Sequence, residues 1–204
     1  MIYADKPKLL FIHNQKVAGM SIEQFMLNSL NGQKLLERHS YAEDGIKLIG
    51  IERWEEYYSF GFVRNPWERL VSWYVMINET PPMGPNLLWD YVHNNSKSFE
   101  EFIVNCTEQS SERDGYIYRK SFIRPQFDYF TDKDGILRTT FIGRFENLQD
   151  DFDKVMTSVG LQKHKLPVVN KTRDKDYKSF YNKNTREIVA ERFKKDINYF
   201  GYKF

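Results

Sequence analysis

The residues Lys16-Val17-Ala18-Gly19-Met20-Ser21 lie between an apolar run, Leu9 to Ile12, and a stretch with helical spacing. A small-residue loop at that point receives the first N–H groups of the helix and the positive end of its dipole, and both attract an anion. Lys16 adds a point charge. The segment is not a Walker A loop, because the lysine precedes the glycine and no Gly-Lys-Ser/Thr follows, which disfavours nucleotide triphosphatase chemistry. Taken alone, a strand, a loop with one glycine and a helix are also ordinary α/β architecture. A second pair of residues shifts the balance toward an anion site. Arg64 ends another apolar run, and Ser72 stands eight residues on, two turns into the next helix and on the same side. A guanidinium fork and a hydroxyl suit a terminal phosphate monoester; the structural alternative is an ion pair of Arg64 with Glu68 or Glu146. Proton transfer near neutral pH points to the four histidines, His13, His39, His93 and His164.

The elements that must position these groups follow from periodicity. Leu9 to Ile12 is a continuous apolar run closed by His13-Asn14-Gln15, the signature of a first strand buried on both faces of a parallel sheet. Ile22, Phe25, Met26 and Leu30 give the next segment an amphipathic helical face, stopped by Asn31-Gly32. Residues 33 to 58 are irregular or helical. Ser59 to Val63 predicts a second strand, and Asn65-Pro66 a capped helix to about Ile77 that is apolar nearly all round and so lies in the core. Pro81-Pro82-Met83-Gly84-Pro85 breaks the chain, and Ser98 with Glu101 forms a capping box for a helix to about Cys106. Residues 107 to 126 read as a long loop or short helix. Phe127 to Phe130, the Asp132-Lys133-Asp134-Gly135 turn and Ile136 to Ile142 read as a hairpin or a strand entry. Asn147 to Val159 is a helix stopped by Gly160. A last helix is capped by Asn184, with Glu187 at the capping-box position and Val189, Phe193, Ile197 and Phe200 on one face. Strands alternating with helices predict an α/β layer structure around a mostly parallel sheet.

Composition narrows the function classes. With 204 residues, 41% hydrophobic and 28% charged, the chain is expected to be a single globular domain over 1–204. Its net charge of +2 carries no general nucleic-acid signature, so any anion site is local. The single Cys106 excludes an internal disulfide framework and a four-cysteine zinc site, and it fits a reducing compartment. No apolar stretch reaches membrane-spanning length, and no secretory signal is read at the N-terminus, so a soluble, cytoplasmic protein is expected.

The first loop resembles the 5′-phosphosulfate loop of sulfotransferases, Pro-Lys-Thr-Gly-Gly-Thr-Ser. Phe62-Val63-Arg64-Asn65-Pro66-Trp67-Glu68-Arg69-Leu70-Val71-Ser72 resembles their 3′-phosphate motif and is the more specific match. The likeness continues through Arg124-Pro125-Gln126-Phe127-Asp128, Phe141-Ile142-Gly143-Arg144-Phe145-Glu146-Asn147-Leu148, Ala190-Glu191-Arg192-Phe193-Lys194-Lys195-Asp196 and Phe200-Gly201-Tyr202. It is similar to the carbohydrate-type members, compact bacterial relatives of the membrane-anchored glycan enzymes of animals. The first loop departs from the pattern at Gln15 for proline, Val17 for threonine, Ala18 for glycine and Met20 for threonine. Backbone N–H groups, Lys16 and Ser21 then remain to hold the 5′-phosphate.

The resemblance implies a three-layer sandwich with a central parallel sheet, P-loop nucleotide-kinase-like. It implies transfer of a sulfuryl group from 3′-phosphoadenosine 5′-phosphosulfate (PAPS) to an acceptor hydroxyl, on a carbohydrate, without a metal. Lys16 would stabilise the leaving nucleotide. Lys16, Val17, Ala18, Gly19, Met20, Ser21, Arg64, Ser72, Lys171 and Thr172 would hold the donor. His39 resembles the family's histidine beside the donor and is the expected base, with Glu43 or Glu52 as alternatives. His13, at a strand end, reads as a packed residue orienting the loop. His93, Tyr118, Arg119 and Arg124 are expected to face the acceptor. A nucleotide-binding protein of the same fold without transfer activity and a small-molecule kinase are the competing readings; the oligomeric state is open.

Overall fold

A computed structural model describes residues 1–82, 84–108, 121–167 and 176–204. In chain order its elements are β1 (Ile2–Asp5), β2 (Lys8–Ile12), α1 (Gly19–Ser29), β3 (Gln33–Lys34), α2 (Ala42–Ile49), α3 (Ile51–Glu55), β4 (Tyr58–Val63), α4 (Pro66–Glu79), α5 (Leu87–Asn95), α6 (Phe99–Glu101), β5 (Phe141–Arg144), α7 (Leu148–Ser158), α8 (Lys183–Arg192) and α9 (Lys194–Phe200). They group into two compact units, Met1–Arg64 with Gln126–Lys171, and Asn65–Pro125 with Thr172–Phe204.

The first unit is built on a five-stranded sheet in the order β3-β1-β2-β4-β5. The strands β2, β4 and β5 run parallel, in line with the continuous apolar runs of β2 and β4, with Phe11 opposite Phe60 and Phe60 opposite Phe141. The sheet is not parallel throughout, however. The strand starting at Leu9 is not the first: Ile2–Asp5 forms β1 and pairs antiparallel with β2 and with β3. A connection as short as Lys6-Pro7 can only fold one strand back on the other, so this edge is antiparallel for geometric reasons. One face of the sheet presents Leu9, Phe11, Phe60 and Phe62 to Val17, Ile22, Phe25 and Met26 of the first loop and α1, and to Phe152, Val155 and Met156 of α7. On the opposite face Phe130 packs against Gly61, and Tyr41 stacks on Tyr129 with centroids 4.6 Å apart.

The irregular stretch 33–58 resolves into β3, α2 and α3. Of the two readings of 127–142, hairpin or strand entry, the structure has the strand entry. Phe127–Phe130 is a 3-10 helix and Thr131 meets Leu137 in a single antiparallel bridge. The residues Phe141–Arg144 instead join β4 as β5, because a ready parallel partner offers more backbone pairing than a short local ribbon. The turn itself is sound: Asp132 Oδ1 accepts from the N–H groups of Asp134 and Ile136, and Gly135 adopts φ 76°. Helix α7 ends as expected before Gly160, whose φ of 75° stops it.

The second unit is helical among its described residues. Asn65 caps α4 by accepting from the Trp67 N–H at 3.0 Å, with Pro66 at the first helical position. Helix α5 was not foreseen; Asn86 caps it, and Leu88 and Val92 are buried four residues apart. Ser98 caps α6 through the Glu101 N–H, as the sequence predicts, but the chain then widens into a π-helix, Phe102–Cys106. Arg192 gathers three groups there, the carbonyls of Ile103 and Val104 and the Thr107 hydroxyl. The cap of α8 is Asn182 rather than Asn184, with Thr185 returning the hydrogen bond in place of Glu187. The same spacing occurs two residues apart, and the pair that buries Thr185 is the one used.

Candidate active site

The loop after β2 has two residues in the left-handed region, Lys16 at φ 64° and Ala18 at φ 58°. Their alternation with Val17 drives the Val17 side chain into the core of the first unit, while Lys16 and Ala18 stay partly exposed. A hydroxyl at position 17 would therefore point into hydrocarbon, so valine removes no donor from the open side of the loop. Met20 is the exposed departure, at 37%, and Ser21 is buried. Helix α1 starts at Gly19 with no side chain capping it and no acid in its first turn, so its dipole presents positive potential beside the loop.

Arg64, at the end of β4, reaches this loop. Its Nη1 donates to the Lys16 carbonyl at 3.2 Å, and its guanidinium lies 4.0 Å from the Phe145 ring centroid. Two buried amides hold the backbone beneath it. Gln126 accepts from the Arg64 N–H at 2.9 Å and donates to the Arg64 carbonyl at 2.8 Å, while Asn14 donates to Gln126 Oε1 and to the Phe62 carbonyl, each at 3.2 Å. The two ends of β2 and β4 are thereby fixed to one another.

Next to the loop lies a chain of titratable groups. His13, at the end of β2, is 4% exposed, and its Nδ1 donates to Glu23 Oε2 of α1 at 3.0 Å. Arg38 grips the same carboxylate with Nε and Nη2 at 2.8–3.1 Å. The hydrogen bond from His13, aided by Arg38, holds Glu23 at about 2 against the burial that pushes it up. Burial holds His13 below the usual imidazole range, opposed by its bond to Glu23. His39 packs edge-on to His13, centroids 4.9 Å apart, and its Nδ1 donates to the His13 carbonyl at 3.1 Å. Burial, then the neighbouring His13, lowers His39 to about 3, so it is a neutral imidazole at physiological pH. The segment carrying it is pinned by the Met1 nitrogen, which donates to the carbonyls of Leu36 and Glu37 at 3.0 Å.

In the first unit, then, Arg64 touches the Lys16–Ser21 loop at the Lys16 carbonyl, and His39 lies against His13, whose ring covers Gly19 of that loop. The alternatives to His39 stand apart in character: Glu43 is buried on α2 with Lys47 Nζ at 2.6 Å, and Glu52 is exposed on α3. His164 packs on Phe25, centroids 4.5 Å apart. In the second unit Ser72 is buried on α4, His93 is exposed on α5, and Arg124 is half-buried with its carbonyl accepting from Arg69 at 3.5 Å. Tyr118, Arg119, Lys171 and Thr172 lie outside the described residues. Sequence reasoning did not single out Asn14, Glu23 or Gln126 for a role. The available signal was their polarity: Asn14 stands two residues after an apolar strand, and Glu23 faces inward among Ile22, Phe25 and Met26. No group of three or more metal-ligating side chains occurs among the described residues, and none of their helices is long and apolar enough to cross a membrane.

The ends of β2 and β4 in this parallel-centred α/β sheet thus bring together an arginine and a loop that opens an uncapped helix. The model of the Sulfotransferase family matches residues 1–203, and the chain belongs to that family. Sulfuryl transfer is the family's reaction, and its members generally take the group from PAPS. The chain is also similar to an uncharacterized protein of Archaeoglobus fulgidus, 27% identical over 132 residues that make up 64% of this chain and 90% of that protein. No solved structure gives a significant match.

Proposed function

We propose that the chain is a PAPS-dependent sulfotransferase acting on a hydroxyl of a carbohydrate, with residues 1–204 as one catalytic domain of the P-loop nucleotide-kinase-like, three-layer type. The observation that carries the donor assignment is the hydrogen bond from Arg64 to the Lys16 carbonyl. It joins, in one contact, the two segments whose sequences resemble the 5′-phosphosulfate and 3′-phosphate motifs. The residues suit such a donor: an uncapped helix start and Lys16 for the 5′ side, and a guanidinium for the 3′-phosphate.

The donor supplies an activated sulfuryl group. The protein's part is to bind, orient and move a proton. Lys16 places positive charge where the leaving nucleotide gains negative charge. Arg64, anchored by Gln126 and Phe145, holds the nucleotide in register. His39 takes the acceptor's proton at Nε2, because its Nδ1 already donates to a carbonyl. Burial keeps that nitrogen unprotonated at working pH.

Ligand-induced stabilisation tests the reading without an acceptor. A ligand that binds only the native state at 100 times its Kd adds about 2.7 kcal/mol. Adenosine 3′,5′-bisphosphate should raise the Tm by several degrees, 5′-AMP much less, and Arg64→Ala should abolish the difference. Equal shifts with 5′-AMP and the bisphosphate, or a larger shift with magnesium ATP, would refute it. An acceptor screen with labelled donor, mono- and oligosaccharides first, then tests the carbohydrate.

A further inference from the structure

Two imidazoles lie against each other beside the loop, and their hydrogen bonds assign them different tasks. The His13 carbonyl can only accept, so the proton of neutral His39 sits on Nδ1 and the lone pair on Nε2. The Glu23 carboxylate, gripped by Arg38, also only accepts, so neutral His13 carries its proton on Nδ1 as well. The remaining nitrogen of His13 has no room for a substrate. It lies so close over Gly19 that a Cβ there would fall 2.1 Å from Nε2. His13 therefore has one side chain contact that holds it, one face against the loop, and a carbonyl that holds His39.

We propose that Glu23 and His13 are positioning residues that fix His39 in the Nδ1–H tautomer, leaving Nε2 as its proton-accepting atom. The inference rests on the reading of His39 as the base and adds what sets its reactive nitrogen. The order of contacts is continuous: Arg38 to Glu23, Glu23 to His13 Nδ1, His13 carbonyl to His39 Nδ1. A buried carboxylate behind an imidazole is costly unless paired, and here it is paired on both sides. Rigidity passes on through the main chain of His13, which is clamped by its own side chain, by Gly19 and by the Phe11 ring at 5.4 Å.

Long-range ¹H–¹⁵N NMR of the ligand-free protein at pH 7 reads each tautomer directly. His13 and His39 should both show the Nδ1–H pattern. In His13→Leu the pure Nδ1–H pattern of His39 should be lost to a mixture with Nε2–H. His13→Asn, whose amide nitrogen replaces Nδ1 as the donor to Glu23, should restore it. Should His13→Leu fail to fold, Glu23→Gln takes its place, with the same loss expected at His39. An Nε2–H pattern for His39 in the wild type, an unchanged pattern in either folded variant, or failure of His13→Asn to restore it overturns the proposal. These spectra need no acceptor or donor. Full sulfuryl transfer by His39→Ala would instead refute the base assignment while the tautomer result stood.

Discussion

Lowering the pH should destabilise the protein through His39 well before its carboxylates protonate. The unfolded imidazole titrates near 6.5, and burial holds the folded one at about 3. Because the folded value is lower, the unfolded chain binds more protons below pH 6.5, and stability falls as pH falls. At pH 5 the unfolded residue lies 1.5 pH units below its pKa and the folded one remains neutral. At about 1.36 kcal/mol per unit, the loss between pH 7.5 and pH 5 is about 2 kcal/mol from this residue. For a chain of this length that corresponds to about 4–8 °C in Tm. His13 contributes with the same sign, and so does the Met1 amine, lowered to about 6. Glu23, held at about 2, keeps its stabilisation through this window and loses it only as the pH falls from about 4.5 toward 2. A comparison of slopes isolates His39. His39→Asn is the suitable variant, since asparagine tolerates the left-handed φ of 69° found there. Urea unfolding from pH 7.5 to 5 should show the mutant losing about 2 kcal/mol less than the wild type. Parallel curves for the two proteins would refute the burial of a neutral imidazole at this position.

His39→Ala should lower turnover by about 10²- to 10⁴-fold with bisphosphate affinity nearly unchanged; steady-state kinetics alongside nucleotide titration checks both, and an active mutant moves the base to Glu43 or His93. Gly19→Ala should lower stability by about 1–3 kcal/mol, because its methyl group displaces the His13 ring, and denaturant melts measure the loss. Wild-type stability there would mean that the ring is not seated on the loop. Gln126→Leu should cost about 2–4 kcal/mol, since it strands the buried N–H and carbonyl of Arg64, and should also weaken bisphosphate binding. A stable mutant that binds normally would show that the amide does not hold the strand end.

The strands β2 and β4, the helices α1, α4 and α7, the cap at Asn65 and the stop at Gly160 were all legible in the sequence. Each is a local pattern: a run of apolar residues, a 3.6-residue period, a side chain that satisfies a helix end. Arg64 stands out in the sequence as a charge directly after an apolar run, and Lys16 as a charge in the loop that follows another; that their segments touch is seen only in the fold. What could not be read was which non-adjacent groups would meet. The strand Ile2–Asp5 looks like a short charged terminus until β2 and β3 supply its hydrogen bonds on either side. Phe141–Arg144 looks like half a hairpin until β4 offers a parallel partner. Glu23 looks like one more polar position on an amphipathic helix; only packing turns it inward to His13 and Arg38, and only packing brings His39 Nδ1 to the His13 carbonyl. Val17 illustrates the reverse, where a missing hydroxyl in the sequence proves to be a core side chain. Local free-energy preferences are written along the chain, but the protonation, tautomer and reach of a side chain depend on dielectric and hydrogen-bond partners that exist only once distant segments have packed.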